Sequence, residues 1–204
     1  LNEAGHRIAL MADACEAYAR MPINVNEPVI DLISVSAHKI HGPQGVGALY
    51  IRKGTDIGLI KHGITRLDTL ETGGISMAAI AGFAKAVELA FTDLPGKIKY
   101  LKELRDHLRK RIESSIPHTI LNGPRGDRRI SHNLNVSFSY IEGEAIMMML
   151  DLNGILVNTG SACASQGLKA NYVLMALGRT HEESHGSIKF TLSRYNTREE
   201  IDFT

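Results

Sequence analysis

Apolar residues along this chain follow two periods. Short unbroken runs at 8–12, 29–35 and 46–51 have the length and residue types of sheet strands, and all three read as buried. The first ends at Asp13 and the second leads into Ser36. Residues 1–7, ahead of them, read as the tail of a helix capped by Gly5. Gly42-Pro43 and Gly45 make a tight turn before the third run. Residues 80–86 read as a helix whose small side chains suit close packing. From residue 96 the period becomes three and four, so that Ile98, Leu101, Leu104, Leu108 and Ile112 share one helix face. The other face carries Lys97, Lys99, Lys102, Arg105, Arg109, Lys110 and Arg111, either as a solvated surface or as a docking face for an acidic partner.

Beyond this helix the pattern predicts a short strand at 119–121, a loop from Asn122 to Asp127 and a half-buried strand at 133–138 with period two. Glu142 opens a helix through Leu150, and its three Met residues read as core filler rather than as a metal patch. A further helix follows at 172–178. The first part has the helix–strand rhythm of a parallel α/β sheet joined in mid-course, and the second reads as α+β. The expected division is 1–92 and 93–204, with Pro95-Gly96 as the hinge.

Composition adds bounds rather than identity. The 204 residues are 44% hydrophobic and 22% charged with a net charge of +1, so nothing argues for nucleic acid or an anionic membrane. No apolar run reaches the length of a membrane span, and no signal peptide is read. Two cysteines far apart, Cys15 and Cys163, fit a reducing cytoplasm better than a disulfide scaffold. No metal site is expected.

Three places carry candidate chemistry. Lys39 follows a strand directly and precedes a tight turn. Such a lysine is either a strand-end residue with its head in water or, in a dry pocket, an amine that forms a Schiff base with a carbonyl. Asp13, at the end of the first strand, is either a helix cap or an anion in a site. Cys163 is flanked by Gly, Ser and Ala only, which predicts an exposed, mobile loop and an accessible thiol. Cys15, straight after a strand, is expected to be less accessible.

Read together, these places resemble one family. S-x-H-K followed by G-P-x-G-V-G-A-L-Y is similar to the lysine loop of pyridoxal-phosphate (PLP) enzymes of the aminotransferase class V group, most closely cysteine desulfurases of the NifS/IscS type. The run T-G-S-A-C-A-S around Cys163 and the run S-I-K-F-T-L-S-R-Y-N-T ending at Thr197 resemble two further motifs of that family. The resemblance implies the C-terminal portion of an aspartate-aminotransferase-like large domain followed by a smaller α+β domain. It also implies PLP as cofactor, bound covalently by Lys39, with Ser36 and His38 at the phosphate and Asp13 at the pyridine nitrogen. Arg194 would fork the substrate carboxylate, and Cys163 would take sulfur from L-cysteine as a persulfide. A homodimer and a sulfur acceptor or Fe–S scaffold protein as partner are implied in the same way.

The chain departs from the family pattern at Gln44 (usually Lys), Glu16 (Gln), Glu71 (Arg) and Gly74 (Thr). Glu16, beside the expected ring position, accepts but cannot donate a hydrogen bond while ionised. The resemblance covers the later half of the family's chain. Two alternatives stay open: a catalytically inactive interaction protein, favoured by Glu71 and Gly74, and another class V PLP enzyme such as a selenocysteine lyase or an aminotransferase.

Overall fold

Strand β2, Leu32–Ser36, lies between β1, Met11–Asp13, and β3, Gly47–Ile51, in a three-stranded sheet. β1 runs parallel to β2, with Asp13 opposite Ser34, and β3 returns antiparallel, with Gly47 opposite Ser36. These elements come from a computed structural model that describes residues 8–57, 76–159 and 170–204. The chain divides into two compact units, Leu1–Leu94 and Pro95–Thr204. The helix tail expected at residues 1–7 lies outside the described residues.

In the first unit, helix α1, Met77–Phe91, begins at Ser76, whose hydroxyl accepts from the Ala79 amide at 3.3 Å. Its Phe83, Ala86 and Ala90 pack on Ala37 and Ile40, just after β2. Small residues let the two backbones meet. A Cβ on Gly82 would sit 2.6 Å from Pro43 Cγ, and one on Gly42 would sit 3.0 Å from both the Ala37 carbonyl oxygen and Ala86 Cβ. The small-residue helix expected here is therefore present, and it rests on the turn after Lys39.

The sheet differs from expectation in two respects. It is mixed rather than wholly parallel, and β1 and β3 are not buried: Met11 is 57% exposed and Leu49 42%. Among the described residues both are edge strands with a neighbour on one side only, so their apolar side chains lack a second covering layer. After β1 there is no regular helix for Asp13 to cap. Residues 14–20 form successive turns, with Ala19 in the left-handed region at φ 57°.

The second unit is an antiparallel sheet of β4 (Thr119–Leu121), β5 (Asn133–Phe138), β6 (Asn158–Thr159) and β7 (Ser187–Thr191), in the order β4-β5-β7-β6. Helix α2, Leu94–Ser115, lays Leu101, Leu104, Leu108 and Ile112 on Leu134, Val136, Phe138, Ile188 and Phe190. The three-and-four spacing read from the sequence is thus the buried stripe. Burying such side chains contributes about 1.5–3 kcal/mol each.

Arg105 is the exception on the basic face. It is 1% exposed, and its guanidinium donates to the carbonyls of Arg129 (3.1 Å) and Ile130 (3.0 Å) and to Asp106 (2.9 Å). A buried guanidinium is tolerated only when its donors are satisfied, and the loop over α2 supplies the acceptors. Pro95 and Gly96 lie in the first turn of α2, where proline's missing N–H costs nothing, and the two compact units divide in sequence at 94/95.

Helices α3 (Gly143–Asp151), α4 (Tyr172–Ala176), α5 (His181–His185) and α6 (Arg198–Phe203) complete this unit. Of the three Met residues on α3, only Met147 packs against the core, beside Ile146 and Leu150. Met148 and Met149 are exposed, contrary to their reading as filler. No described helix is long and apolar enough to cross a membrane.

The Gly82–Pro43 contact decides the sign of one substitution. Helix propensity alone would make Gly82→Ala stabilising by up to ~1 kcal/mol. The 2.6 Å approach predicts instead a loss of about 1–3 kcal/mol, as for an overpacked core. Urea unfolding of the two proteins measures the difference, and a gain in stability would show that α1 does not rest on the turn.

Candidate active site

The turn carrying Lys39 is held by its backbone. Ser36 ends β2 in extended conformation and starts the 3-10 turn Ala37–Ile40. His41 closes it in the left-handed region at φ 67°, the Gly42 amide donates to the Ala37 carbonyl at 2.9 Å, and the Ala37 amide donates to Val46 at 3.1 Å. Arg20 reaches in from the preceding turns and donates to the Lys39 carbonyl at 3.2 Å. The Ser36 hydroxyl and His38 Nδ1 stand 2.7 Å apart, so two polar groups are gathered at the end of β2.

The Lys39 ammonium pairs with the Glu16 carboxylate and is 40% exposed. The dry pocket offered as one reading of this lysine is thus not formed by the described residues. On the neighbouring strand, Asp13 Oδ1 accepts from the Ser34 hydroxyl and from the Cys15 amide, each at 3.0 Å. Hydrogen bonding from the Cys15 side chain and backbone, then from Ser34, holds the Asp13 carboxyl below its ordinary 3.8, and the charge of Lys39 adds to this. Asp13 is therefore an anion at neutral pH. The same contact pushes the Cys15 thiol up, first through the hydrogen bond to Asp13 and then through burial, which favours the protonated thiol over the thiolate.

Arg194 lies in the second unit, just beyond β7. Its guanidinium donates to the Tyr195 hydroxyl at 2.7 Å and stacks 4.9 Å from the centre of that ring. Cys163, Glu71 and Gly74 lie outside the described residues.

The groups in the first unit match the chemistry of PLP. An amine suits its aldehyde, a hydroxyl and an imidazole suit its phosphate, and a carboxylate held ionised suits a protonated ring nitrogen. Two contributors escaped the sequence reading. Ser34 had a signal, since it shares a face of β2 with Ser36 at period two. Arg20 had none, because its contact with Lys39 exists only once the chain has turned back.

The model of the aminotransferase class-V family matches residues 2–203. The chain belongs to that family. It is 46% identical over 192 residues to a cysteine desulfurase IscS of Dictyoglomus turgidum, covering 94% of this chain and 48% of the relative. It is 42% identical over 199 residues to one of Methanosarcina thermophila, covering 97% and 48%. Among solved structures, a NifS-like protein is 31% identical with a TM-score of 0.82 over 96% of this chain and 50% of the other. A NifS-like protein from Rickettsia africae is 26% identical with a TM-score of 0.82, over 95% and 51%. This class V chain thus spans about half the length of the curated relatives it matches, and its fold is part of the aminotransferase-like α/β fold.

The ionised Asp13 gives a local prediction. A depressed folded-state pKa stabilises the fold above the ordinary Asp range, and that contribution is lost as pH falls through the lowered value. Cys15→Ala should move the Asp13 midpoint back toward 3.8, and Ser34→Ala should move it less. Carboxyl NMR titration reads both, and an unchanged midpoint in Cys15→Ala would refute the network.

Proposed function

We propose that the full-length protein is a PLP-dependent cysteine desulfurase that converts L-cysteine to alanine and passes the sulfur on as an enzyme persulfide. The observation that carries this reading is the clustering of Lys39, Asp13, Ser36 and His38 at the ends of two paired strands, in a chain 46% identical to a cysteine desulfurase IscS. On this reading the first unit is part of the PLP-binding large domain and the second is the small domain. The boundary proposed from the sequence was 92/93, and the compact units divide at 94/95.

PLP, when bound, supplies the electron sink into which the electrons of the substrate's breaking bonds flow. Lys39 would hold it covalently, Asp13 would keep a proton on the ring nitrogen, and Ser36 and His38 would hold the phosphate. Glu16, paired with Lys39 here, would stand beside the cofactor as an acceptor once that amine is engaged. Arg194 releases Tyr195 and takes the substrate carboxylate in a two-pronged hydrogen bond. The Cys163 thiolate attacks the substrate sulfur: a new S–S bond forms as the substrate C–S bond breaks, and the persulfide remains on the enzyme. No Lys, Arg or His stands within five residues of Cys163 in sequence, so its activation comes from groups brought to it by the fold. The reading further includes a homodimer, a sulfur acceptor or Fe–S scaffold as partner, and a cytoplasmic setting.

One observation favours a second reading, an inactive interaction protein. Three carboxylate or glycine substitutions, Glu16, Glu71 and Gly74, stand where the resemblance expects groups that support the cofactor. Sulfur transfer separates the two. PLP-loaded full-length protein given L-cysteine should carry one extra sulfur on the Cys163 peptide by mass spectrometry. Cys163→Ser should abolish sulfide release while the visible absorbance of the bound cofactor stays. Wild-type sulfide release by Cys163→Ser would return the reading to a lyase or aminotransferase, and no visible band in the wild type would favour the inactive protein.

A further inference from the structure

Helix α5 is a single turn with the sequence His181-Glu182-Glu183-Ser184-His185. Residues four apart on a helix share a face, and here the two imidazole rings lie 4.5 Å apart between centroids, tilted by 38°. The environment of His185 is asymmetric. Its Nδ1 lies 3.9 Å from Glu142 Oε2, and its Nε2 is buried with no hydrogen-bond partner among the described residues. At 3.9 Å the approach of Glu142 to Nδ1 is electrostatic rather than a hydrogen bond, and in the tautomer with its proton on Nδ1 the Nε2 atom presents a lone pair. A buried acceptor left unmatched is costly, and a carboxylate behind one ring nitrogen with the other left free is the usual setting of a metal-ligating histidine.

The surroundings fix this geometry. Thr180 and Glu183 close a reciprocal capping box at the start of α5. Ser184 is buried and accepts from the Asn171 amide at 3.0 Å. At the other end the backbone is pressed into place: a Cβ on Gly186 would lie 2.1 Å from the Phe138 carbonyl oxygen, and one on Gly143 would lie 2.8 Å from that of His185. The backbones that carry Glu142 and His185 are therefore packed together, while the Glu142 side chain itself is 72% exposed.

We infer that His181 and His185 chelate a divalent transition-metal cation of the borderline class, such as Cu²⁺, Ni²⁺ or Zn²⁺, with Glu142 positioning His185. Among the described residues no third His, Cys, Asp or Glu joins them. Water completes the coordination sphere, and affinity follows the general order Cu²⁺ above Ni²⁺, and Cu²⁺ above Zn²⁺. This inference does not rest on the proposed sulfur chemistry. The signal was present in the sequence as H-E-x-x-H on a helix, a pattern the expectation of no metal passed over.

Titration calorimetry of untagged, metal-free full-length protein with CuCl₂, NiCl₂ and ZnCl₂ tests the site, with Cu²⁺ electron paramagnetic resonance as the structural readout. A Cys163→Ser background removes competition from the thiol. The expected result is one high-affinity Cu²⁺ per chain with splitting from two imidazole nitrogens. His181→Asn, an exposed change, should weaken binding at least tenfold, and Glu142→Gln should weaken it by a smaller factor. An unchanged affinity in His181→Asn, or a spectrum with a single imidazole nitrogen, would overturn the proposal.

Discussion

The candidate site depends on one steric constraint, the contact between α1 and the turn that follows Lys39. Gly42 has no room for a side chain beside Ala37 and Ala86, and Gly82 has none beside Pro43. Two missing side chains therefore set the distance between helix and turn. That distance fixes the end of β2, where Ser36 and His38 meet and from which Lys39 projects. The backbone bonds from Gly42 to Ala37 and from Ala37 to Val46 lock the same turn from inside. A lysine carried in this way has its backbone placed before any cofactor arrives, which is what preorganisation requires.

Electrostatics then divides the labour among neighbours of similar type. Asp13 and Glu16 are both exposed carboxylates three residues apart, yet their partners differ. Asp13 is fixed by neutral donors, Cys15 and Ser34, and is held as an anion with its remaining lone pairs free for a cationic ring. Glu16 is paired with the Lys39 ammonium itself. An exposed pair of this kind contributes only about 0–1 kcal/mol, so it does not bar the amine from a better partner. The burial of Arg105 shows the opposite regime, in which a charge leaves water only because three loop carbonyls and a carboxylate receive it.

Periodicity made the second unit legible. Leu101, Leu104, Leu108 and Ile112 announced α2, and the alternation at 133–138 announced β5, because each pattern is written in consecutive residues. Lys39, Ser36 and His38 were legible because they are adjacent. The exposure of β1 and β3 was not, since an apolar run says that a strand seeks cover and not whether cover is present. Arg105 was misread for a related reason: the carbonyls that accept from it sit more than twenty residues away in the loop over α2. Ser34's bond to Asp13 and Arg20's bond to Lys39 are likewise products of strand pairing and turning.

The central claim is that the amine of Lys39, placed by this turn, is the covalent anchor of PLP in the full-length protein. Loading the protein with PLP, reducing with borohydride and mapping the peptides tests it directly. The account predicts a pyridoxyl group on Lys39, with Lys39→Ala losing the label. A label carried instead by another lysine, such as Lys53 or Lys85, would contradict it.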